Sequence, residues 1–516
     1  MRVALVRGSS NGKDAYKGVF GVSMPPLGLA SLAGAIMRNG HKAVLVDALT
    51  EGFDVERAAE IIESWGAQMV AVTINASPYH KFAASLVKKV KAENKDVVFV
   101  AGGHHATFVY SQVLASGFDY VVLGEGEQTF SELVNTLEQN RSVSDVKGLA
   151  FESDGKIVQT APRPLMDNLD SLPIPAFEMF NKDRCKADVF GSGSHLITME
   201  TSRGCPYNCE FCSVTVMWGH CWRFKSVKRV VRELQLIKAL GYNWVFIVDD
   251  NFIVPVNLKE RELLFNELKN NGNAFNFVSQ IRVDVAAKHP DIIRSAANSG
   301  LRIVFLGMES GNDDVLKRMR KGTSIAAAME GIKVLHENGI LTHGGFVVGA
   351  PYESKNQLNN TFEYADQLRM AGLDSVQFSI YTPLPGTNAF SKAVKDNSLL
   401  TLDWNLYDCL HPVMKSQIGP HWLYFKSNTA AAMFFLKKWI SGTFSQIGKS
   451  SQPLGNDYSK LVRNATRFIS KNVMEYLKDL LVTLPLNSLK LWLIFRKAET
   501  VVSRDALEIL AQRGSL

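Results

Sequence analysis

Three cysteines within eight residues, Cys205-Pro206-Tyr207-Asn208-Cys209-Glu210-Phe211-Cys212, constrain this chain more than any other stretch. They are spaced C-x3-C-x2-C and follow Thr201-Ser202-Arg203-Gly204. Thiolates so arranged are soft ligands for zinc or for an iron–sulfur cluster. A structural zinc ion asks for four ligands, and no second CxxC or close HxxxH follows to complete a set. His220 and Cys221 stand near enough to serve as a fourth ligand, which keeps zinc open. A [4Fe–4S] cluster on three thiolates leaves one iron free to bind a substrate or cofactor. A disulfide suits the group poorly, because three is odd and Met1–Arg7 reads as a strand and not as a signal peptide.

At 516 residues the chain has room for two or three domains, and 46% hydrophobic with 21% charged residues is a globular composition. Six cysteines, three of them clustered, point to a reducing interior and a cytoplasmic location. The net charge of +7 is spread thinly. It suits an anionic cofactor or the inner face of a membrane and is too weak to argue nucleic-acid binding. No run of about 18 apolar residues would span a bilayer.

With the aromatic Phe211 before its last cysteine, the motif resembles the signature of radical S-adenosylmethionine (SAM) enzymes. The resemblance implies a [4Fe–4S] cluster on Cys205, Cys209 and Cys212, with its open iron chelating the amino and carboxylate groups of SAM. An electron from a donor such as flavodoxin or ferredoxin would then cleave the sulfonium to a 5′-deoxyadenosyl radical.

Ahead of the cysteines, residues 1–145 alternate short β-branched runs with helical stretches. Val3–Val6, Ala43–Val46, Met69–Ile74, Val97–Ala101 and Tyr120–Leu123 form the runs, with Leu27–Asn39 and Ala83–Asn94 among the helices. This pattern predicts an α/β domain with a doubly wound parallel sheet whose ligands sit at the carboxyl ends of the strands. No G-x-G-x-x-G follows the first strand. Pro25-Pro26-Leu27-Gly28-Leu29, Gly102-Gly103-His104-His105-Ala106-Thr107 and Leu123-Gly124-Glu125-Gly126-Glu127 resemble the cobalamin-binding domain fused ahead of many radical SAM barrels. The resemblance implies corrinoid contacts at Ser77, Gly102, Gly103, His105, Gly124, Gly126 and Glu127. The D-x-H-x-x-G motif that supplies an axial histidine elsewhere is missing, so cobalamin is expected base-off. A wall that binds no corrinoid is the alternative. Residues 146–194, broken by Pro162, Pro164, Pro173 and Pro175, read as a linker.

Residues 195–400 carry six strand-like runs, starting at Leu196, Trp244, Asn276, Ile303, Gly344 and Ser375, with helices between them. Six β/α units predict a partial (β/α)6 barrel with its chemistry on the loops after the strands. Val248-Asp249-Asp250-Asn251-Phe252, Gln280-Ile281-Arg282, Gly307-Met308-Glu309-Ser310-Gly311 and Phe346-Val347-Val348-Gly349-Ala350-Pro351 end successive strands. SAM contacts are expected from Asp250, Gln280, Arg282 and Glu309, and the last stretch resembles the family's glycine–proline motif near adenine, which implies Gly349 and Pro351 as well. Arg282 suits the carboxylate, since a guanidinium fork matches it, and Glu309 suits the ribose. Residues 401–516 read as a small helical region. Ala430–Ile440, Val473–Leu481 and the basic-flanked apolar run Leu489–Lys497 serve either as docked helices or as a peripheral membrane contact.

These features predict a cobalamin-dependent radical SAM enzyme that C-methylates a hydrophobic or lipid-like small molecule. Oxidative cyclisation of a porphyrin or lipid is the second reading, and a non-catalytic cobalamin or redox sensor the third.

Overall fold

The computed structural model describes residues 1–9, 24–187, 190–272, 275–441, 463, 484–495, 506–507 and 509. Its first sheet begins with five parallel strands in the order β2-β1-β3-β4-β5. These are β1 (Arg2–Arg7), β2 (Lys42–Asp47), β3 (Met69–Thr73), β4 (Val98–Gly102) and β5 (Tyr120–Val122). Successive side chains alternate between faces, so every strand must be apolar on both sides where helices cover both. Val3 and Leu5 pack against helices Leu27–Met37 and Gly126–Glu138, while Ala4 and Val6 face helices Val55–Trp65 and His80–Glu93.

The sheet does not stop at β5. β6 (Leu149–Ser153) and β7 (Lys156–Gln159) add an antiparallel pair, which makes the sheet mixed. These residues fall within the linker expected over 146–194, whereas Asp154 and Gly155, at φ 51° and 70°, close a hairpin. An Asp-Gly pair with both φ values positive is the favoured two-residue hairpin turn. Only the proline-rich stretch beyond it has the irregular path expected of a linker.

The second sheet contains β8 (Leu196–Met199), β11 (Trp244–Ile247), β12 (Asn276–Ile281), β13 (Leu301–Glu309), β14 (Leu341–Val348) and β15 (Ser375–Ile380). All six are parallel and lie in chain order, the arrangement expected of a partial barrel. A short antiparallel ribbon, β9 (Ser202–Arg203) with β10 (Arg223–Phe224), brackets the cysteine loop. Helices Val227–Ala239, Ile325–Glu337 and Lys355–Ala371 start where Ser226, Ser324 and Ser354 accept a backbone N–H from the first turn.

The two sheets share apolar packing. Val70, Ala83 and Val109 of the first belong to one buried cluster with Val315, Met319, Tyr381 and Phe390 from the barrel side. A Cβ on Gly386, just past β15, would stand 2.5 Å from the Phe108 ring, so the chain passes there only as glycine. Helix Pro420–Ile440 packs on β15, and helix Leu484–Phe495 packs on it in turn. Buried Lys438 fastens the first of these, donating to Leu373 O and Asp374 Oδ1, each at 3.0 Å. Val473–Leu481 lies outside the described residues. Among the described residues no helix is long and apolar enough to cross a membrane.

Candidate cluster and cofactor site

The cysteine loop is held by groups from several strand ends and from the end of helix Asp313–Arg318. Gly204 N donates to Asp250 Oδ2 at 3.2 Å, and Asn251 Nδ2 donates to Cys205 Sγ at 3.1 Å. Glu210 N donates to Met319 O at 3.1 Å, and Tyr352 Oη donates to Glu210 Oε2 at 3.1 Å. The Tyr207 ring lies under the Arg282 guanidinium at 3.8 Å, and Phe211 meets Tyr381 edge-on. Beneath the loop, Asp249 accepts from Thr201 N, from both the Thr201 and Ser202 hydroxyls, and from Arg261. Burial lowers the Arg261 pKa to about 10 against the pull of Asp249.

Cys205, Cys209 and Cys212 line one cavity of about 320 Å³. Burial raises all three thiol pKa values, that of Cys212 to about 12, so a metal's positive charge is what would make them thiolates. Among the described residues no three His, Cys, Asp or Glu side chains converge as ligands of a single ion. The Cys221 thiol turns to Trp218 O at 2.7 Å, and His220 is exposed. The donor set fits a cluster that spans three thiols better than a four-coordinate zinc ion.

The same cavity collects Asp250, Gln280, Arg282 and Glu309, so four of the six expected SAM residues lie together. Burial raises Asp250 to about 6. Arg282 is already engaged: Nε donates to Asp284 Oδ1 at 2.9 Å and Nη2 to Lys321 O at 2.8 Å. Glu309 sits at φ 60° and accepts from Lys321 Nζ at 2.6 Å. Burial opposes the charge on Lys321, but Glu309 and then Cys209 hold its pKa above the usual range. Nothing in the sequence marks Lys321, which stands in a loop with no motif. Gly307 and Gly345 give the cavity its room between apolar walls such as Phe305, Leu306 and Phe346. Gly349 and Pro351 are not part of its lining: a Cβ on Gly349 would stand 2.2 Å from Leu423, and Gly349 N donates to Glu353.

In the first sheet the expected corrinoid residues divide. Gly102, Gly103 and Gly124 end β4 and β5. Gly103, at φ 100°, would place a Cβ 2.3 Å from Asn75 Oδ1, whereas a Cβ on Gly124, at φ 75°, would meet nothing within 4 Å among the described residues. His105 lies behind this edge, in a buried chain running from Ser77 Oγ to His105 Nδ1 (2.8 Å) and from His105 Nε2 to His80 Nδ1 (2.9 Å). Both ring nitrogens are thereby used, and Trp404 covers the ring at 4.9 Å. Burial lowers the pKa of His105 well below the usual histidine value and that of His80 to about 4. The site fits a corrinoid with no His105 ligand on cobalt. Glu127 departs from expectation: it pairs with Arg203, whose guanidinium keeps the carboxyl ionised despite burial.

The B12 binding domain family matches residues 14–134 and the radical SAM superfamily residues 199–365. An uncharacterized methyltransferase of Pyrococcus horikoshii is 33% identical over 78% of this chain and 86% of its own length. The anaerobic magnesium-protoporphyrin IX monomethyl ester cyclase of Rubrivivax gelatinosus is 29% identical over 76% of this chain and 70% of its own length. The structure of the cobalamin-dependent SAM radical enzyme OxsB, with aqua-cobalamin and SAM bound, superposes with a TM-score of 0.68. That likeness spans 99% of this chain and 78% of OxsB at 17% identity, and is one of fold.

The chain belongs to the radical SAM enzymes that carry an N-terminal B12-binding domain. It is an enzyme of radical chemistry whose cofactors are SAM, a [4Fe–4S] cluster and cobalamin, and it takes a small-molecule substrate and an external electron donor.

Proposed function

We propose that this enzyme transfers a methyl group to an unactivated carbon of a hydrophobic, lipid-like molecule, met at an anionic membrane surface. The observation that carries the reading is the cavity under Cys205, Cys209 and Cys212, polar on the strand-end side and walled by Ile281, Phe305, Leu306, Phe346 and Val347. When bound, the cluster, SAM and the corrinoid supply the radical and the methyl group. The protein holds the reacting groups in line and keeps water out. Asp250, Gln280 and Glu309 are assigned to the ammonium and ribose of SAM. Arg282 acts on the same ligand from its place over Tyr207, and Gly349 and Pro351 shape the turn beside the adenine. Gly102, Gly103, Gly124 and Gly126 are assigned to the corrinoid, with Ser77 fixed from behind by His105 and cobalt base-off. His343, at the cavity wall, is kept neutral by burial, with a pKa of about 4, and adds an uncharged polar contact.

Membrane contact is supported by exposed apolar side chains on the two outer helices. Phe425, Met433 and Leu436 lie along helix Pro420–Ile440, and Leu486 and Leu489 on its neighbour, with Lys426 and Lys437 beside them. Exposed apolar side chains flanked by lysines suit an anionic lipid interface. The electron donor is assigned to the flavodoxin or ferredoxin class.

A second reading keeps the cofactors and ends in oxidation or ring closure, and the cyclase relative favours it. The two are separated by growing a deletion strain and its parent on methyl-deuterated methionine and comparing their lipids and metabolites by mass spectrometry. A parent-only product that carries the deuterated methyl group supports methylation. A parent-only product lighter by hydrogens and free of label makes cyclisation the answer.

A further inference from the structure

Between the two sheets lies a buried charge cluster that none of the cofactor assignments uses. Arg203, on β9 and two residues before Cys205, donates Nη2 to Glu127 Oε1 at 2.5 Å and Nη1 to Glu125 Oε1 at 3.1 Å. Its Nε donates to Glu200 Oε2 at 2.7 Å. Arg223, on the paired strand β10, donates Nη1 to the same Glu125 oxygen and to Met166 O, each at 2.8 Å. Lys225 Nζ stands 3.8 Å from Glu200 and 3.0 Å from Glu233. No side chain among Arg203, Glu125, Glu127, Glu200, Arg223 and Lys225 is more than 16% exposed, so losing one leaves a buried charge uncompensated.

One end of this cluster adjoins the glycine turn after β5, and the other adjoins the cysteine loop. Glu125 stands between Gly124 and Gly126 in the turn that leaves β5, and a Cβ on Gly124 would meet nothing within 4 Å among the described residues. Arg203 is joined to Cys205 through Gly204 alone. Gly204 has little freedom to shift: at φ 91° a Cβ would lie 2.3 Å from Cys221 O, and its N–H is held by Asp250. A shift of the glycine turn therefore reaches the cluster loop through one guanidinium and one tightly enclosed residue.

We propose that Arg203 is a positioning residue that links the two sites energetically, so that a filled cluster site favours corrinoid binding and a bound corrinoid favours the ordered cluster loop. The link rests on the reading of Gly124–Gly126 as the corrinoid-facing turn. Linkage of this kind is reciprocal, and coupling typically changes affinity by about 5- to 150-fold. Lysine cannot replace the fork that serves three carboxylates at once.

The test titrates hydroxocobalamin into full-length protein under anaerobic conditions, once free of iron and once after reconstitution, and follows the visible spectrum. The reconstituted wild type is expected to bind about 5- to 150-fold more tightly than the iron-free form. Glu127→Gln and Arg203→Lys, compared at full iron content, are expected to lose most of that difference. In the same samples the magnetic interaction between cob(II)alamin and the reduced cluster should be sharp in the wild type and broadened in the variants. Glu127→Gln decides the outcome if Arg203→Lys does not take up iron. Equal affinity of the two wild-type forms, or a difference that survives Glu127→Gln, overturns the linkage. Absence of binding by both wild-type forms overturns the corrinoid reading itself and the linkage with it.

Discussion

Glu353→Gln should make the protein more stable, and increasingly so as pH rises. Glu353 is completely buried behind the turn at the end of β14. Its Oε2 accepts from Gly349 N at 2.6 Å, while Oε1 is enclosed with no hydrogen-bond partner among the described residues. Burial raises its pKa from 4.5 to about 7, against the opposing pull of the Gly349 and Ala350 amides. A carboxyl raised in the folded state costs nothing below its unfolded pKa. Its penalty grows as pH climbs toward the folded value and then levels off. The shift corresponds to about 3 kcal/mol at pH 8 and about 1 kcal/mol at pH 5. Glutamine imitates the protonated acid and carries no such penalty. For a barrel of this size the difference in melting temperature should be on the order of 5–10 °C at pH 8, and small at pH 5. Scanning calorimetry of both proteins across that range measures it. A gap independent of pH, or one that closes as pH rises, would refute a buried, neutralised Glu353.

Three further outcomes follow from the site. Replacing Cys205, Cys209 or Cys212 by Ala should abolish uptake of about four irons per chain, while Cys185→Ser and Cys409→Ser should leave iron content and the reduced-cluster EPR signal intact. His104→Ala and His105→Ala should leave the visible spectrum of bound hydroxocobalamin base-off and unshifted, because both nitrogens of His105 are spent on Ser77 and His80; a large shift would reveal a histidine ligand. Leu486→Glu together with Leu489→Glu should reduce flotation with anionic liposomes at low salt, and equal flotation of variant and wild type would remove the support for a membrane-borne substrate.

The strands of both sheets are legible in the sequence because each is a short β-branched run bounded by turn formers, and a period of two needs no long-range information. The cysteine loop is legible for a similar reason: its three ligands are local. The hairpin at Asp154-Gly155 carried a readable turn signal that the nearby prolines masked. What the sequence hides is pairing across long separations. Nothing in Leu123–Glu127 says that Glu127 meets Arg203, or that Lys321 reaches Glu309 inside the cavity. Likewise, His105 reads as a corrinoid contact beside Gly102-Gly103 until His80, 25 residues earlier, is seen to occupy its second nitrogen. Charged and polar groups at strand ends are ambiguous in sequence because turn formation and ligand binding draw on the same residue types.

One assignment underlies the others, that three thiolates hold a cluster whose fourth iron takes SAM. It is tested most directly by EPR of the anaerobically reconstituted, dithionite-reduced protein, recorded with and without SAM. The expected result is a [4Fe–4S]⁺ signal that changes shape and position when SAM is added. Tightly bound zinc with no iron uptake, or a cluster signal indifferent to SAM, would contradict it.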